Sequence, residues 1–229
     1  MHLRVSLVLA AAFSTVVFAQ DQFGPPDAFQ VRYATNLNKG DSTVNVGNTG
    51  TSSNMNMEGD GEGGGFGAGN ICANVYVFDP SEEMLACCSC LITPNGLVSL
   101  SVKDLVSNTL SPQVPDSVVI KLLASSPVPQ AGVPDTSGTT CNPAAIETGL
   151  FGVEGSYVLS GMRSWGTNVH QLPGTPATYG VTESESQEGG LSTAELIHLT
   201  SFCGFIQSNG SGFGICKACR AGGLGGAKQ

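Results

Sequence analysis

The residues of this sequence that could do chemistry are, first of all, its cysteines. Three of them lie within four positions in the run LACCSCLI (85–92), and a C-x-x-C pair, CKAC, occurs at 216–219. Cysteines at such spacings can bind a metal ion, carry out thiol–disulfide exchange or form structural disulfides. The full set is Cys72, Cys87, Cys88, Cys90, Cys141, Cys203, Cys216 and Cys219.

A metal site is the first alternative, since two C-x-x-C pairs have the spacing of a tetrahedral zinc site. Such a pair converges on its ion from a tight turn, whereas Cys87 and Cys90 lie in a predicted strand that turns them to opposite faces. The second pair is flanked by glycines and lacks the β-α-β setting of a redox motif, and neither pair is followed by the histidine that covalent haem requires. We therefore expect no metal and no cofactor.

Disulfides are favoured because the number of cysteines is even and the N-terminal sequence predicts export. Residues 1–19 have a short basic start, an apolar stretch and small residues at positions 17 and 19, which predicts a signal peptide cleaved before Gln20. The apolar stretch is shorter than a bilayer span requires. We expect a secreted, extracellular protein with no membrane span after signal removal, and the pairing of its cysteines stays open.

The strand period restricts that pairing. If 85–92 is extended, Cys88 and Cys90 share one face and Cys87 points to the other, so the cluster bonds in two directions. A vicinal bond between Cys87 and Cys88 is the strained alternative. Candidate partners are Cys203 in a predicted helix, the CKAC pair and Cys72 on a neighbouring predicted strand.

The segments that must position these cysteines are strand-like, because they alternate or are rich in Val, Ile and Leu. Turns such as Pro94-Asn95-Gly96 separate them, as is typical of antiparallel sandwiches and barrels. Ser192 and Glu195 form a capping box that predicts one packed helix over 193–207. We expect a mainly β, antiparallel sandwich or barrel-like domain with strands at 29–34, 42–47, 71–78, 85–92, 97–102, 117–124 and 156–165, and loops at 125–142 and 173–190.

The chain is predicted to have four parts. Behind the signal peptide, residues 20–46 form an N-terminal β arm with an alternating pattern. Residues 47–69 are rich in glycine and acidic side chains, which indicates a flexible linker. Residues 70–229 contain every cysteine and form the disulfide-stapled β-rich domain.

No further catalytic motif is assembled in the sequence. His170 and His198 lack an H-x-x-x-H or H-E-x-x-H partner, and no G-x-S-x-G elbow occurs. The linker has acidic residues at alternate positions, but Gly69 stands where an EF-hand needs a glutamate. It stays open whether calcium binds there, and the residues concerned are Glu58, Asp60 and Glu62.

Sugar chemistry is the remaining possibility. Any two carboxylates could meet in space for glycoside hydrolysis, although nothing in the sequence selects a pair, and Glu183, Glu185 and Glu188 are expected in a solvated loop. Aromatic side chains make up only 7% of the residues. A stacking platform could use Trp165, Tyr157 and Tyr179, although we expect the tryptophan in the core.

Composition restricts the partners. The chain has 18 acidic against 9 basic residues, a net charge of −9, without a basic cluster. Such a chain is a poor partner for nucleic acid or for an anionic membrane surface. Charged residues make up only 12% and glycine is abundant, which is typical of a β-rich exported protein.

Three runs of the sequence resemble a family of secreted bacterial proteins, largely from soil bacteria, that carry no assigned function. They cover 69–112, 161–173 and 191–226, and include NICANVYVFDP, ACCSCLITPNGL and GSGFGICKACR. The resemblance extends over most of the chain from Gly69 onward. It implies one exported domain and brings no activity and no binding residues.

Two functional classes follow. The first is a secreted, non-catalytic structural or interaction protein, such as a cell-surface, matrix or filament subunit, that binds itself or other extracellular surface proteins. Its arm at 20–46 could add a strand to a neighbour's sheet edge. The alternative is an exported carbohydrate-binding protein, or a hydrolase that uses dispersed carboxylates. We favour the first class because no catalytic motif is assembled.

Overall fold

The structure is a computed structural model that describes residues 25–51, 69–111, 114–127, 140–147, 156–217 and 219. The predicted signal peptide, most of the predicted linker and the acidic residues Glu58, Asp60 and Glu62 lie outside the described residues. Within them the elements in chain order are β1 (Phe29–Ala34), β2 (Thr43–Asn48), β3 (Ile71–Phe78), β4 (Met84–Ile92), β5 (Leu97–Ser101), α1 (Val102–Leu105), β6 (Val118–Ser125), β7 (Ile146–Glu147), β8 (Ser156–Tyr157), β9 (Met162–Gln171), β10 (Tyr179–Glu185), β11 (Gln187–Glu188) and α2 (Thr193–Ser208).

Two antiparallel sheets form the body of the molecule, and the mainly β prediction is confirmed. The first sheet has the strand order β11-β1-β6-β3-β4, and the second has the order β10-β9-β2-β5. The short strands β7 and β8 pair in parallel beside them. Helix α2 begins after Ser192, whose side chain accepts a hydrogen bond from the Glu195 amide, as the capping box predicts.

The first sheet is buried on both faces. One face packs against the second sheet in a core that includes Val75, Leu122 and Val46. The other face packs against α2 in a second core, to which Tyr76, Leu123, Leu196, Leu199 and Ile206 belong. Strands β3 and β4 are buried at every position, which explains their nearly continuous apolar sequence.

The predicted N-terminal arm is part of this body, so its description as a separate arm is wrong for β1 and β2. Strand β1 pairs with β6 and β11, and β2 pairs with β5 and β9. The predicted alternation is confirmed for β2, since Val44 and Val46 are completely buried. An alternating pattern indicates a strand with one buried face, but it does not indicate whether the sheet that covers this face belongs to the same chain.

The segment at 173–190, predicted as a loop, contains β10 and β11. None of the side chains of β10 is buried, so its sequence lacks the apolar alternation that marks a strand. Its register comes from β9, with which it pairs from Tyr179 opposite Gln171 to Glu185 opposite Trp165. The strand predicted at 156–165 is divided into β8 and β9, with Gly161 at a φ of 95° between them.

Two truncations test the burial of these strands. We expect Leu122→Ala to lower the free energy of unfolding by about 2–5 kcal/mol, because the side chain is completely buried between the sheets. The matched control Val181→Ala, on the exposed strand β10, should change it by less than about 0.5 kcal/mol. Urea unfolding with the disulfides intact measures both values. Equal losses would contradict the placement of β10 at an exposed sheet edge.

Candidate functional site

Strand β4 carries cysteines from three of the four disulfides. The pairs are Cys87–Cys203, Cys88–Cys216, Cys90–Cys219 and, away from β4, Cys72–Cys141. Cys87 lies in the core beneath α2, whereas Cys88 and Cys90 lie in the core between the sheets. This is the division that the alternation of a strand predicts. No cysteine is free, and no cluster suited to a metal ion occurs among the described residues.

These bonds hold a segment against the outer edge of β4. The Cys87 amide donates to the Gly214 carbonyl at 2.8 Å, and the Cys216 amide donates to the Cys87 carbonyl at 3.3 Å. Gly214 has a φ of 79°, and a Cβ there would lie 2.8 Å from Ile206 of α2. The edge at Cys87 is therefore paired within the chain, which removes a template for aggregation.

Disulfides of this number indicate a compartment outside the reducing cytoplasm. They close long stretches of chain, with sequence separations of 69, 116, 128 and 129 residues. Within the described ranges, neither α1 nor α2 combines the length and apolar character that a bilayer span needs.

His170 and His198, the histidines within the described residues, do not form a common site. His170 lies on β9 in the second sheet, and its Nδ1 is buried without a hydrogen-bond partner in the described part of the chain. His198 lies on α2, with its Nδ1 4.0 Å from a Glu195 oxygen and its ring 4.5 Å from that of Phe202, edge to face. Because the first sheet separates β9 from α2, the two side chains cannot act together.

The solvent side of α2 is aromatic. Phe202 is 49% exposed and Phe205 is 64% exposed, and His198 lies one turn before Phe202. We call these three residues the aromatic stripe. Phe213, 55% exposed, follows beside the helix end. The buried positions of α2 are Leu196, Leu199, Cys203 and Ile206, so Phe202 and Phe205 lie outside the buried side of the helix.

An open cleft of about 670 Å³ lies at the other side of the molecule, where the chain crosses between the sheets. Strand β10 ends at Glu185 in the second sheet and β11 begins at Gln187 in the first, so Ser186 makes the crossing. The cleft is lined by residues 163–165 and 183–186 together with Gln30 and Glu188. The structure thus brings Trp165 together with all three glutamates of the segment predicted as a loop.

Trp165 is half-buried, so its predicted place in the core is wrong. It stands on the face of the second sheet that points away from the first, because neighbouring positions on β2, Val44 and Val46, fill the core. Tyr179 pairs with Gln171, six positions farther along β9, and Tyr157 packs against the core between the sheets. The three aromatic residues proposed as one platform are therefore not brought together.

Charges of both signs surround the cleft. Arg163 forms an ion pair with Asp27 at 3.0 Å. A hydrogen bond with the Asp27 carboxyl, and the negative charge of that group, raise the pKa of Glu188, and the Arg163 charge lowers it by less. Burial lowers the pKa of Arg32, and the charge of Glu183 partly offsets this effect.

Comparison with known proteins gives no match to a family model, to a curated protein or to a solved structure. The resemblance to secreted bacterial proteins therefore stays a prediction.

The disulfide pairing leads to a chemical prediction. Cys203→Ser should leave one alkylatable thiol in the denatured, unreduced protein, and fragmentation should locate it at Cys87. Stability should fall by about 2–5 kcal/mol, because a long loop is no longer closed. The control Cys141→Ser should instead release Cys72. A released thiol at Cys88 or Cys90 in the Cys203 variant would contradict the pairing.

The carboxyl pair at the cleft leads to a pH prediction. A carboxyl with a raised pKa in the folded state contributes stability at low pH that is lost as pH rises through that pKa. Glu188→Gln should remove this loss, so its melting temperature should exceed that of the wild type by a margin that grows from pH 4 to pH 7. Thermal unfolding across this range measures the margin. Glu147→Gln serves as the control. A margin that does not change with pH would contradict the interaction between Glu188 and Asp27.

Proposed function

We propose that the protein is a secreted, non-catalytic structural or interaction protein that associates with a second copy of itself through the aromatic stripe of α2. The exposure of Phe202 and Phe205 is the observation that carries this proposal. Contiguous exposed aromatic side chains on a soluble domain are typical of interaction surfaces. The predicted signal peptide and the disulfides support export.

Helix α2, which carries the aromatic stripe, is fixed to the first sheet on its opposite side. Cys203 is bonded to Cys87 of β4, and Leu199 and Ile206 are almost completely buried against the first sheet. A surface that is ordered before binding loses little conformational entropy when it meets a partner. The disulfide framework therefore supports a role in binding rather than only in stability.

Charge favours this surface for contact between like chains. The chain has a net charge of −9, so two copies repel each other over most of their surface. Helix α2 contains no lysine or arginine, and its acidic residue Glu195 forms an ion pair with Lys121. Phe202 and Phe205 thus bring no charge to a contact between two copies.

A second copy fits the stripe better than a membrane surface does. An apolar stripe is complementary to itself, as a two-fold symmetric interface requires. An interfacial membrane helix usually presents lysine or arginine to the lipid head groups, and α2 presents none. Strand addition by residues 29–34 and 43–48 is not part of this proposal, because both strands are paired on their two sides within the chain.

The double variant Phe202→Ser/Phe205→Ser tests the proposal. We expect the wild type to show a concentration-dependent monomer–dimer equilibrium in sedimentation velocity up to about 100 μM, and the double variant to stay monomeric. Added salt should strengthen the wild-type dimer, because salt screens the repulsion between acidic chains while apolar contacts persist. Val181→Ser removes a similarly exposed apolar side chain from the second sheet and should leave the equilibrium unchanged.

Several outcomes would overturn the proposal. One is a wild type that stays monomeric over this concentration range, and another is a double variant that dimerises as the wild type does. Binding of the monomer to lipid vesicles, lost in the double variant, would assign the stripe to a membrane surface instead. Circular dichroism and thermal unfolding of each variant establish that it is folded, as the exposure of both phenylalanines leads us to expect.

A further inference from the structure

The cleft beside Trp165 has features that self-association through α2 does not explain. The crossing at Ser186 is anchored on both sides: its amide donates to the Ser164 carbonyl at 2.9 Å, and the Gly189 amide donates to the Phe29 carbonyl at 3.0 Å. The Gln30 side chain joins the sheets from within, donating to the Met162 carbonyl at 2.8 Å and accepting from the Ser164 hydroxyl at 2.6 Å. The cleft is therefore built on a fixed frame.

Buried polar side chains lie behind the cleft, as they also do around Asn74 and Ser125 elsewhere in the fold. Arg32 is only 4% exposed and donates from Nη1 to the Ser184 carbonyl at 2.7 Å. Its Nε and Nη2, and the Ser186 hydroxyl on the cleft wall, are buried without hydrogen-bond partners in the described part of the chain. Of these atoms the Ser186 hydroxyl belongs to the wall of the cleft, and a buried polar atom without a partner costs free energy.

Trp165 gives the cleft an aromatic wall. Gly47 faces it from β2, where an added Cβ would lie 3.8 Å from the indole ring, so the absent side chain leaves the ring uncovered on that side. Glu185 lies directly opposite Trp165 on β10, and Asn45 lies opposite it on β2. The indole thus stands in a row between a carboxylate and an amide on one face of the sheet.

The geometry points to a binding site for a neutral oligosaccharide in this cleft, stacked on Trp165 with its hydroxyls bound by Glu183, Glu185 and Arg163. A pyranose ring has an apolar C–H face, which suits an indole, and a rim of hydroxyls, which suits exposed carboxylates and a guanidinium. The volume of about 670 Å³ lies within the range of small-ligand sites, roughly 300–1,000 Å³.

The charges of the cleft favour a neutral ligand over the alternatives. An anion would meet Glu183, Glu185 and Glu188, all exposed at the cleft. A cation would meet the positive charge of the Arg163 guanidinium, whose side chain is 60% exposed beside Asp27. A metal ion is not favoured, because no suitable cluster of carboxylates, histidines or cysteines occurs among the described residues.

The chain provides its own probe, since Trp165 is its only tryptophan. Titration with soluble neutral polysaccharides, namely mixed-linkage β-glucan, xylan and galactomannan, should shift its fluorescence emission to shorter wavelength for at least one of them. Affinity electrophoresis in gels containing the same polymer then compares variants. Trp165→Ala should weaken binding by roughly tenfold or more, and Trp165→Phe, which keeps a ring, by less.

Two controls separate this site from other surfaces. Tyr179→Ala removes an aromatic side chain six positions away along the same strand pair and should leave affinity unchanged. The double variant Phe202→Ser/Phe205→Ser should also keep full affinity in monomeric form for a short oligosaccharide, so the two proposals fail independently.

The inference is overturned if no neutral polysaccharide shifts the emission, or if Trp165→Ala binds as the wild type does while unfolding at an unchanged temperature. Binding confined to chitosan oligomers, and abolished by salt, would assign the cleft to cationic ligands and also overturn it. Should Trp165→Ala fail to fold, Trp165→Phe and Glu185→Gln provide the test. Full affinity in both of these folded variants would contradict the site.

Discussion

The structure depends on strand β4, which is buried on both faces and forms disulfides from both faces. Strand β4 sends Cys87 toward α2, and sends Cys88 and Cys90 into the core between the sheets. In the chain-entropy model, disulfides that close stretches of more than a hundred residues restrict the unfolded chain most strongly. A chain with only 12% charged residues and long glycine-rich stretches gains from such constraint, because its unfolded state is otherwise very flexible.

The two ends of the first sheet differ in how they are held. At β4 the edge is closed by disulfides and by hydrogen bonds to the Gly214–Cys216 segment. At β1 and β11 the sheets are joined by the chain crossing at Ser186 and by hydrogen bonds of Gln30, Arg32 and Ser186, without a disulfide. Buried polar groups inside a β-sandwich cost free energy unless all of them are hydrogen-bonded. Departures from apolar packing tend to occur at functional sites. This contrast supports the binding site proposed at the polar end.

Local sequence was sufficient to predict the buried strands and the helix. Strand β3 coincides with the predicted 71–78, and α2 extends the predicted helix by one residue, because apolar runs and a capping box are local signals. Strand β10 was missed because an exposed edge strand buries no side chain, and its partner β9 alone defines it. The division of the β4 cysteines followed from strand geometry, whereas their partners depend on which segments the fold places opposite each face.

The candidate surfaces, like the cysteine partners, could not be predicted from local sequence alone. Trp165 was identified as a possible platform from its type alone, but the cleft exists because the chain crosses between sheets at Ser186, a long-range feature without a local signal. The aromatic stripe was hidden because Phe202 and Phe205 are apolar, and the sequence of α2 shows apolar residues on both sides of the helix. Helical spacing places Leu196, Leu199, Cys203 and Ile206 on one side, and the packing of α2 on the first sheet leaves the two phenylalanines exposed.

The two proposed surfaces lie on opposite outer layers of the sandwich. Helix α2 covers the face of the first sheet that points away from the second, and Trp165 stands on the face of the second sheet that points away from the first. A dimer formed through the stripe would therefore leave both clefts open on its far sides. Two linked sites on one polymeric glycan bind with a higher effective affinity than one, without any new contact. If both proposals hold, self-association and sugar binding would then reinforce each other.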